Sequence, residues 1–491
     1  MPTIHPETSA SDRAELESAC ESFRALAGAT GLGTDLPPTT VRIEDVWTAP
    51  PAAIGRSRLA APVDERSRLR RDTDSITITA ASAEGAYRAL VRLLIDPPTV
   101  GEERADEPRF AWRGFNLDVV RHPFDAATIL ALIDLLALHG LNVLHLHLTD
   151  NQGWRIPVPQ SISAGAGPHP LSTEDIANIV AHAQQRCVTV VPEIDLPGHC
   201  AYALDAVDGL ADPERRAPHP LLSWMDATRL EVAEFIRSAV TELAQHFPGH
   251  YLHIGGDEAF GMPHQPYAKA LEIAVGAVHD VGRTAIAWQE AIRAEADVDI
   301  HQFWMSPADV PSAEALVAAV PPEAAPLARI AAATFAEAVD DPQRLTQRSA
   351  EVLLSPQNPI YLDRRYAERS LLETQNDRIA EIGFPGYTPA PSTDVIGWEP
   401  LAELPPGTTA AGVEAAIWAE TITGSDDLAL LLLPRLALFA DVAWGIGSAT
   451  VGKAAARIAA ARTGWHHLGF TNDFRSELLD PTTTEAVNND D

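Results

Sequence analysis

The sequence predicts an α/β protein: a (β/α)8 barrel preceded by a small α/β domain. Three observations point there. From about residue 112, short apolar runs of strand length alternate with stretches long enough for helices. Those runs end in polar, charged or aromatic residues, which is where a barrel carries its chemistry. The first hundred or so residues instead mix strand and helix patterns, and 491 residues suffice for a large barrel plus a modest domain.

Taken in order, an apolar-periodic stretch over 12–27 reads as a helix. A turn at Leu36-Pro37-Pro38 leads to a strand at Thr40-Val41-Arg42-Ile43. The alternating Ser75-Ile76-Thr77-Ile78-Thr79 reads as another strand, before a helix over Ala83–Leu94 whose Ala86, Leu90, Leu93 and Leu94 share one face. Asp96-Pro97-Pro98 and the charged 102–109 segment read as a linker. Barrel strands are expected near 115–120, 142–149, 188–195, 251–256, 284–289, 299–304, 351–355 and 412–418. Helices are expected over 126–139, 174–186, 229–247 and 426–441, among others. The domains are then 1–105, the barrel 106–470, and an acidic tail 471–491.

Composition excludes several classes. With 36 basic and 68 acidic side chains the net charge is −32, a field that repels phosphate backbones, so no nucleic-acid partner is expected. No stretch approaches the roughly 20 apolar residues of a membrane helix, so no membrane association is expected. The first twenty residues lack a basic region followed by an apolar run, which points to the cytoplasm. Cys20, Cys187 and Cys200 are odd in number and lack CxxC spacing, as free thiols would.

The strand ends carry Arg121-His122, Thr149-Asp150, Asp195-Leu196-Pro197-Gly198-His199, Asp257-Glu258, Trp288-Gln289-Glu290, Phe303-Trp304 and Trp418-Ala419-Glu420, and the strand near 355 leads into Tyr361-Leu362-Asp363. The central motif is His253-Ile254-Gly255-Gly256-Asp257-Glu258. Adjacent residues on a strand face opposite ways, so both carboxylates reach one ligand only if the strand ends there. Glycosidic cleavage needs a carboxylic acid to protonate the leaving oxygen and a group to stabilise an oxocarbenium-like centre, which suits paired carboxylates. A neighbouring carboxylate raises the acid's pKa towards working pH. Trp288, Trp304 and Trp418 suit the apolar faces of sugars.

The stretches Trp112–Phe124 (WRGFNLDVVRHPF), Leu144–Arg155 (LHLHLTDNQGWR), Pro192–His199 (PEIDLPGH) and His253–Glu258 (HIGGDE) resemble glycoside hydrolase family 20, the β-N-acetylhexosaminidases. The resemblance runs from about 110 to 445. It implies an exo-acting, retaining enzyme that removes terminal β-linked GlcNAc or GalNAc through an oxazolinium ion, with no cofactor and no metal. It makes Glu258 the acid/base and Asp257 the group that orients the 2-acetamido. Tyr361 would bond the acetamido carbonyl, and Trp288, Trp304 and Trp418 would box its methyl. Arg121, Glu420 and Asp363 would hold the sugar hydroxyls, while Asp150 and His199 would pair behind Glu258. The chain departs from the family pattern at Asn151, where a second acid is usual, and in a long Ala-, Pro- and Glu-rich stretch between Trp304 and Tyr361. In the N-terminal domain only Ser75–Ala80 and Ala86–Leu90 match.

Three rival readings stand beside this one. His145 and His147 at i, i+2 could belong to a metal-dependent barrel hydrolase, although Leu148-Thr149-Asp150 after them puts them one layer below the mouth. Glu420 could be a carboxylate nucleophile in an ordinary retaining glycosidase. A non-catalytic sugar-binding protein would have little use for the Asp257-Glu258 pair.

Overall fold

The computed structural model describes the chain except residues 1, 34, 45, 46, 48, 164–169, 215, 216, 447–450 and 481–491. Eight strands, Arg113–Asp118, Val143–His147, Thr189–Glu193, Tyr251–His253, Thr284–Trp288, Ile300–Phe303, Glu351–Leu354 and Thr409–Ile417, pair in parallel around a closed barrel. The last strand closes on the first, with Val413 opposite Arg113. All eight fall where the sequence predicts, with the first starting two residues early and the last three.

Inward positions recur every second residue along each strand. Near the amino ends Trp112, Val143, Val191, Tyr251, Ile286, Ile300, Leu353 and Ala411 form an apolar plug. Further along, the interior turns polar. Glu193 Oε2 lies 2.6 Å from His147 Nδ1, its Oε1 lies 3.0 Å from His253 Nδ1, and the Trp288 indole donates to Oε1 at 2.8 Å. Burial opposes charge on Glu193, but His147, His253 and His145 outweigh it and hold the carboxyl well below its usual range. Glu414 accepts from Trp112 and Gln302, each at 3.1 Å. Buried polar groups in such a layer must satisfy one another, and doing so fixes their positions beneath the barrel mouth.

The N-terminal sheet has five strands in the order Pro2–Ile4, Thr39–Ile43, Ile76–Ala80, Ser67–Arg71, Glu103–Asp106. Val41, Leu69, Ile76 and Ile78 face the helices Ala10–Thr30 and Ala83–Arg92 and join the core. The segment read as a linker is therefore an edge strand, with Ser67 opposite Asp106. Its charged residues hid it, because no apolar alternation marks Glu103-Arg104-Ala105-Asp106. Glu65 ties this sheet to the barrel. It accepts from Arg88 at 3.0 Å and from Arg113, in the first barrel strand, at 2.8 Å. Burial opposes its charge, yet Arg113 and Arg88 hold it down at about 2.

One other expectation needs correction. The helix expected over 426–441 is two, Ser425–Leu432 and Arg435–Trp444, interrupted at Pro434, which has no N–H to continue the first. The first ten residues of the acidic tail pack on the preceding elements: Phe474 stacks on Tyr366 at 3.7 Å, and Asp473 and Asp480 pair with Arg462 at 2.8 and 2.7 Å. Residues 481–491 of that tail lie outside the described residues. No helix among the described residues is long and apolar enough to cross a membrane. Cys20, Cys187 and Cys200 are free thiols.

Candidate active site

The fourth strand ends at His253, and the chain then bends so that Asp257 and Glu258 face one cavity. Gly255 makes the bend possible. It sits at φ +71°, and a Cβ there would lie 1.8 Å from Asp195 Oδ1. Asp195, two residues after Glu193 on the third strand, thus moves in beside the turn and accepts from the Gly256 N–H at 3.2 Å. Glu258 and His199 both have φ +45°, a left-handed conformation that costs a residue with a side chain about 1–3 kcal/mol and persists where its surroundings impose it.

A chain of charges runs behind Glu258. Arg121 Nη2 lies 2.6 Å from Asp150 Oδ2, which lies 2.9 Å from His199 Nδ1. The other nitrogen of His199 is 3.5 Å from Glu258 and 3.8 Å from Asp257. Burial opposes charge on Asp150, but Arg121 and His199 keep it ionised well below its usual range. Burial likewise opposes charge on His199, and Asp150, Asp195 and Asp257 outweigh it, so the imidazole stays protonated well above its usual range. Burial pushes Asp257 up to about 6, with His199 opposing and Glu258 adding to the rise. Asp195 is raised well above the ordinary value by burial and by Asp257, so it is a neutral acid that can donate to Asp257. Asn151, at the family's departure, accepts from the Ala201 N–H at 3.0 Å and fastens the turn after His199.

Aromatic rings form the walls. Trp304 and Tyr361 are parallel, 5° apart in plane and 6.3 Å between centroids. Trp418 stands edge-on to Tyr361 at 5.8 Å, and Trp288 lies 5.9 Å behind Trp418. The Trp304 indole donates to Glu290 at 3.1 Å, and burial pushes that carboxyl up to about 8. The cavity measures about 440 Å³. Of the residues expected from the sequence, Arg121, His199, Asp257, Glu258, Trp304, Tyr361, Asp363, Trp418 and Glu420 line it. Asp150 and Trp288 stand behind the lining, anchored to His199 and Glu193 respectively. Asp363 is 1% exposed and neither of its oxygens has a side-chain hydrogen-bond partner among the described residues. Burial, with Glu420 adding to it, raises that carboxyl well above its usual range.

His145 lies 2.9 Å from Glu414 and 3.3 Å from Glu193, one layer below the cavity. Donor atoms also converge in His145–Glu193–His253, His147–Glu193–Asp195 and Asp150–Asp195–His199, groups that could hold an ion. In each, at least one imidazole lies within ion-pair distance of a carboxylate.

Sequence reasoning placed Asp195 and Glu290 at strand ends and Glu193 in a motif, but gave none of the three a role in the site. A signal was present for two of them: counting in twos from Val191 places both Glu193 and Asp195 inward.

The catalytic-domain profile of glycosyl hydrolase family 20 matches residues 110–446. A beta-N-acetylhexosaminidase of Cellulomonas fimi is 34% identical over 409 residues, covering 78% of this chain and 74% of that one. Among solved structures, the family 20 beta-N-acetylhexosaminidase of Streptomyces coelicolor A3(2) superposes with TM-score 0.73 at 25% identity, over 94% of this chain and 92% of that one. A variant of Streptomyces plicatus beta-hexosaminidase in complex with product (GlcNAc) gives 0.71 at 25% identity, over 94% and 91%. Barrel and paired carboxylates thus define the class: this is a glycoside hydrolase. The chain belongs to glycosyl hydrolase family 20, the family its motifs resemble.

Proposed function

We propose that the protein is an exo-acting, retaining β-N-acetylhexosaminidase that removes terminal β-linked GlcNAc or GalNAc, with the sugar's own acetamido oxygen as nucleophile. The observation that carries this reading is the bend at Gly255, which sets Asp257 and Glu258 side by side in an aromatic-walled cavity, with Asp257 Oδ1 buried and without a partner. The Asp257 carboxyl lines that cavity, where an acetamido N–H can meet it. The names of the Cellulomonas and Streptomyces relatives point to the same sugar.

In the first step Glu258 protonates the glycosidic oxygen as the acetamido oxygen attacks the anomeric carbon, and the aglycone leaves as an alcohol. Ionised Asp257 accepts the acetamido N–H and stabilises the positive charge growing on the oxazolinium ring. The Tyr361 hydroxyl would donate to the attacking oxygen and hold it in line, with Trp304 and Trp418 beside the methyl and Trp288 backing Trp418. Such orientation makes the attack effectively unimolecular, worth about 7–11 kcal/mol in well-placed cases. Glu258, now a carboxylate, then takes a proton from water, which opens the ring and restores the β configuration. Protonated His199, held by Asp150, stabilises that carboxylate. Arg121, Glu420 and Asp363 would bind hydroxyls of the terminal sugar, and the unpaired oxygens of Asp363 suit that task.

The rival retains a carboxylate nucleophile at Glu420. Intact-mass analysis separates the two. The proposal predicts strong competitive inhibition by a thiazoline mimic of the oxazoline and no adduct from a 2-deoxy-2-fluoro glycoside. A glycosyl ester on Glu420 would overturn it.

A further inference from the structure

The cavity extends beyond the carboxylates, and its outer part has a character of its own. Between the sixth and seventh strands the chain forms helices Ala313–Ala318, Ala325–Ala336 and Asp341–Gln347. The second of these packs on the turn that carries Glu258. A Cβ on Gly261 would meet Ile330 at 3.4 Å, and Phe335 meets Phe260 edge-on at 5.5 Å between centroids. Leu316, Val320 and Phe335 line the cavity on this side. Across from them Phe384 lines it too, 37% exposed and 4.9 Å from Tyr387. Asp309, on the same rim, already accepts from Ser306 at 2.7 Å.

A general acid must reach the glycosidic oxygen, so it stands at the junction between the sugar and its leaving group. A wall packed on the Glu258 turn, and beginning at Phe335 against Trp304, therefore faces the leaving group. Resting on the hexosaminidase reading above, we propose that this outer part is a leaving-group site for uncharged apolar aglycones, aryl or alkyl, rather than for a second sugar. A sugar set against Leu316, Val320 and Phe335 would strip water from hydroxyls that find no partner in those side chains, and unmet hydroxyls are costly. An aromatic ring there gains by burial of area alone.

The test compares kcat/KM for the benzyl and methyl 2-acetamido-2-deoxy-β-glucosides, whose leaving alcohols have nearly equal acidity, and for the β-1,4-linked disaccharide of N-acetylglucosamine. The benzyl glycoside should exceed the methyl by roughly 10- to 100-fold, the range a good apolar contact supplies, and should exceed the disaccharide. In Leu316→Ser/Val320→Ser the benzyl-to-methyl ratio should fall towards one. Phe384→Ser, on an exposed turn, should lower the same ratio and covers the case in which the double variant folds poorly. A wild-type ratio near one, or preference for the disaccharide, overturns the inference while leaving the hexosaminidase reading intact. Failure to cleave any of the three overturns both.

Discussion

Glu258 sits in a left-handed backbone conformation, 25% exposed at its side chain, with protonated His199 behind it. As the proposed proton donor it matters most when the leaving group is a poor one. Glu258→Gln should lower kcat on the methyl glycoside by about 10² to 10⁴, and much less on a nitrophenyl glycoside whose leaving group needs no proton. In the proposed mechanism Asp257 must be ionised to accept the acetamido N–H, and burial raises it to about 6. A raised carboxyl loses its charge as pH falls through that value, so kcat/KM should drop below about pH 6, well above where an ordinary aspartate titrates. Burial and Asp257 raise Asp195 well above the ordinary carboxylate value, and in the proposed mechanism it acts through Asp257 as a neutral donor. An amide can replace a neutral donor, so Asp195→Asn should keep most activity, while Asp195→Ala should lose roughly tenfold or more in kcat with less change in KM. Equal losses in the two variants would contradict the donor role.

At the scale of elements, the third and fourth strands interlock through a missing side chain. Gly255→Ala would bring a Cβ to 1.8 Å from Asp195 and force an ordinary residue to φ +71°. The backbone term alone is about 1–2 kcal/mol, and the clash must displace Asp195 from Asp257. Thermal unfolding should show a lower midpoint, and activity should fall further than stability does. Wild-type activity in this variant would mean the turn relaxes without moving Asp195. The eight strands were legible because each is an apolar run with chemistry at its end. Arg121, Asp257, Glu258, Trp304, Tyr361, Asp363, Trp418 and Glu420 were legible for the same reason, and all line the cavity. The strand Glu103–Asp106 was not, because a charged edge strand carries no apolar alternation. The stretch between Trp304 and Tyr361 reads as an extra helix or rim over the site, and its helices do reach the cavity, but its contacts were not legible: Ile330 and Phe335 meet the Glu258 turn across some 70 positions of sequence.

On the scale of the whole molecule, an apolar plug, a buried layer of paired histidines and glutamates, and an open cavity succeed one another along the barrel axis. The N-terminal sheet meets the barrel through the Glu65 pair with Arg113, and Arg113 belongs to the amino end of a strand, away from the cavity. The groups that line the cavity therefore come from the barrel alone, and the defining demand of the proposed mechanism falls on the substrate, which supplies its own nucleophile. The most direct test is the ratio of kcat/KM for two nitrophenyl β-glucosides that differ only at carbon 2, one bearing acetamido and the other hydroxyl. The leaving group is identical in both, so the ratio isolates the acetamido. Because orientation of that group is worth several kcal/mol, the account predicts a preference of at least about 10⁴ for the acetamido sugar. Comparable rates on the two, so that the hydroxyl sugar is cleaved efficiently, would contradict it.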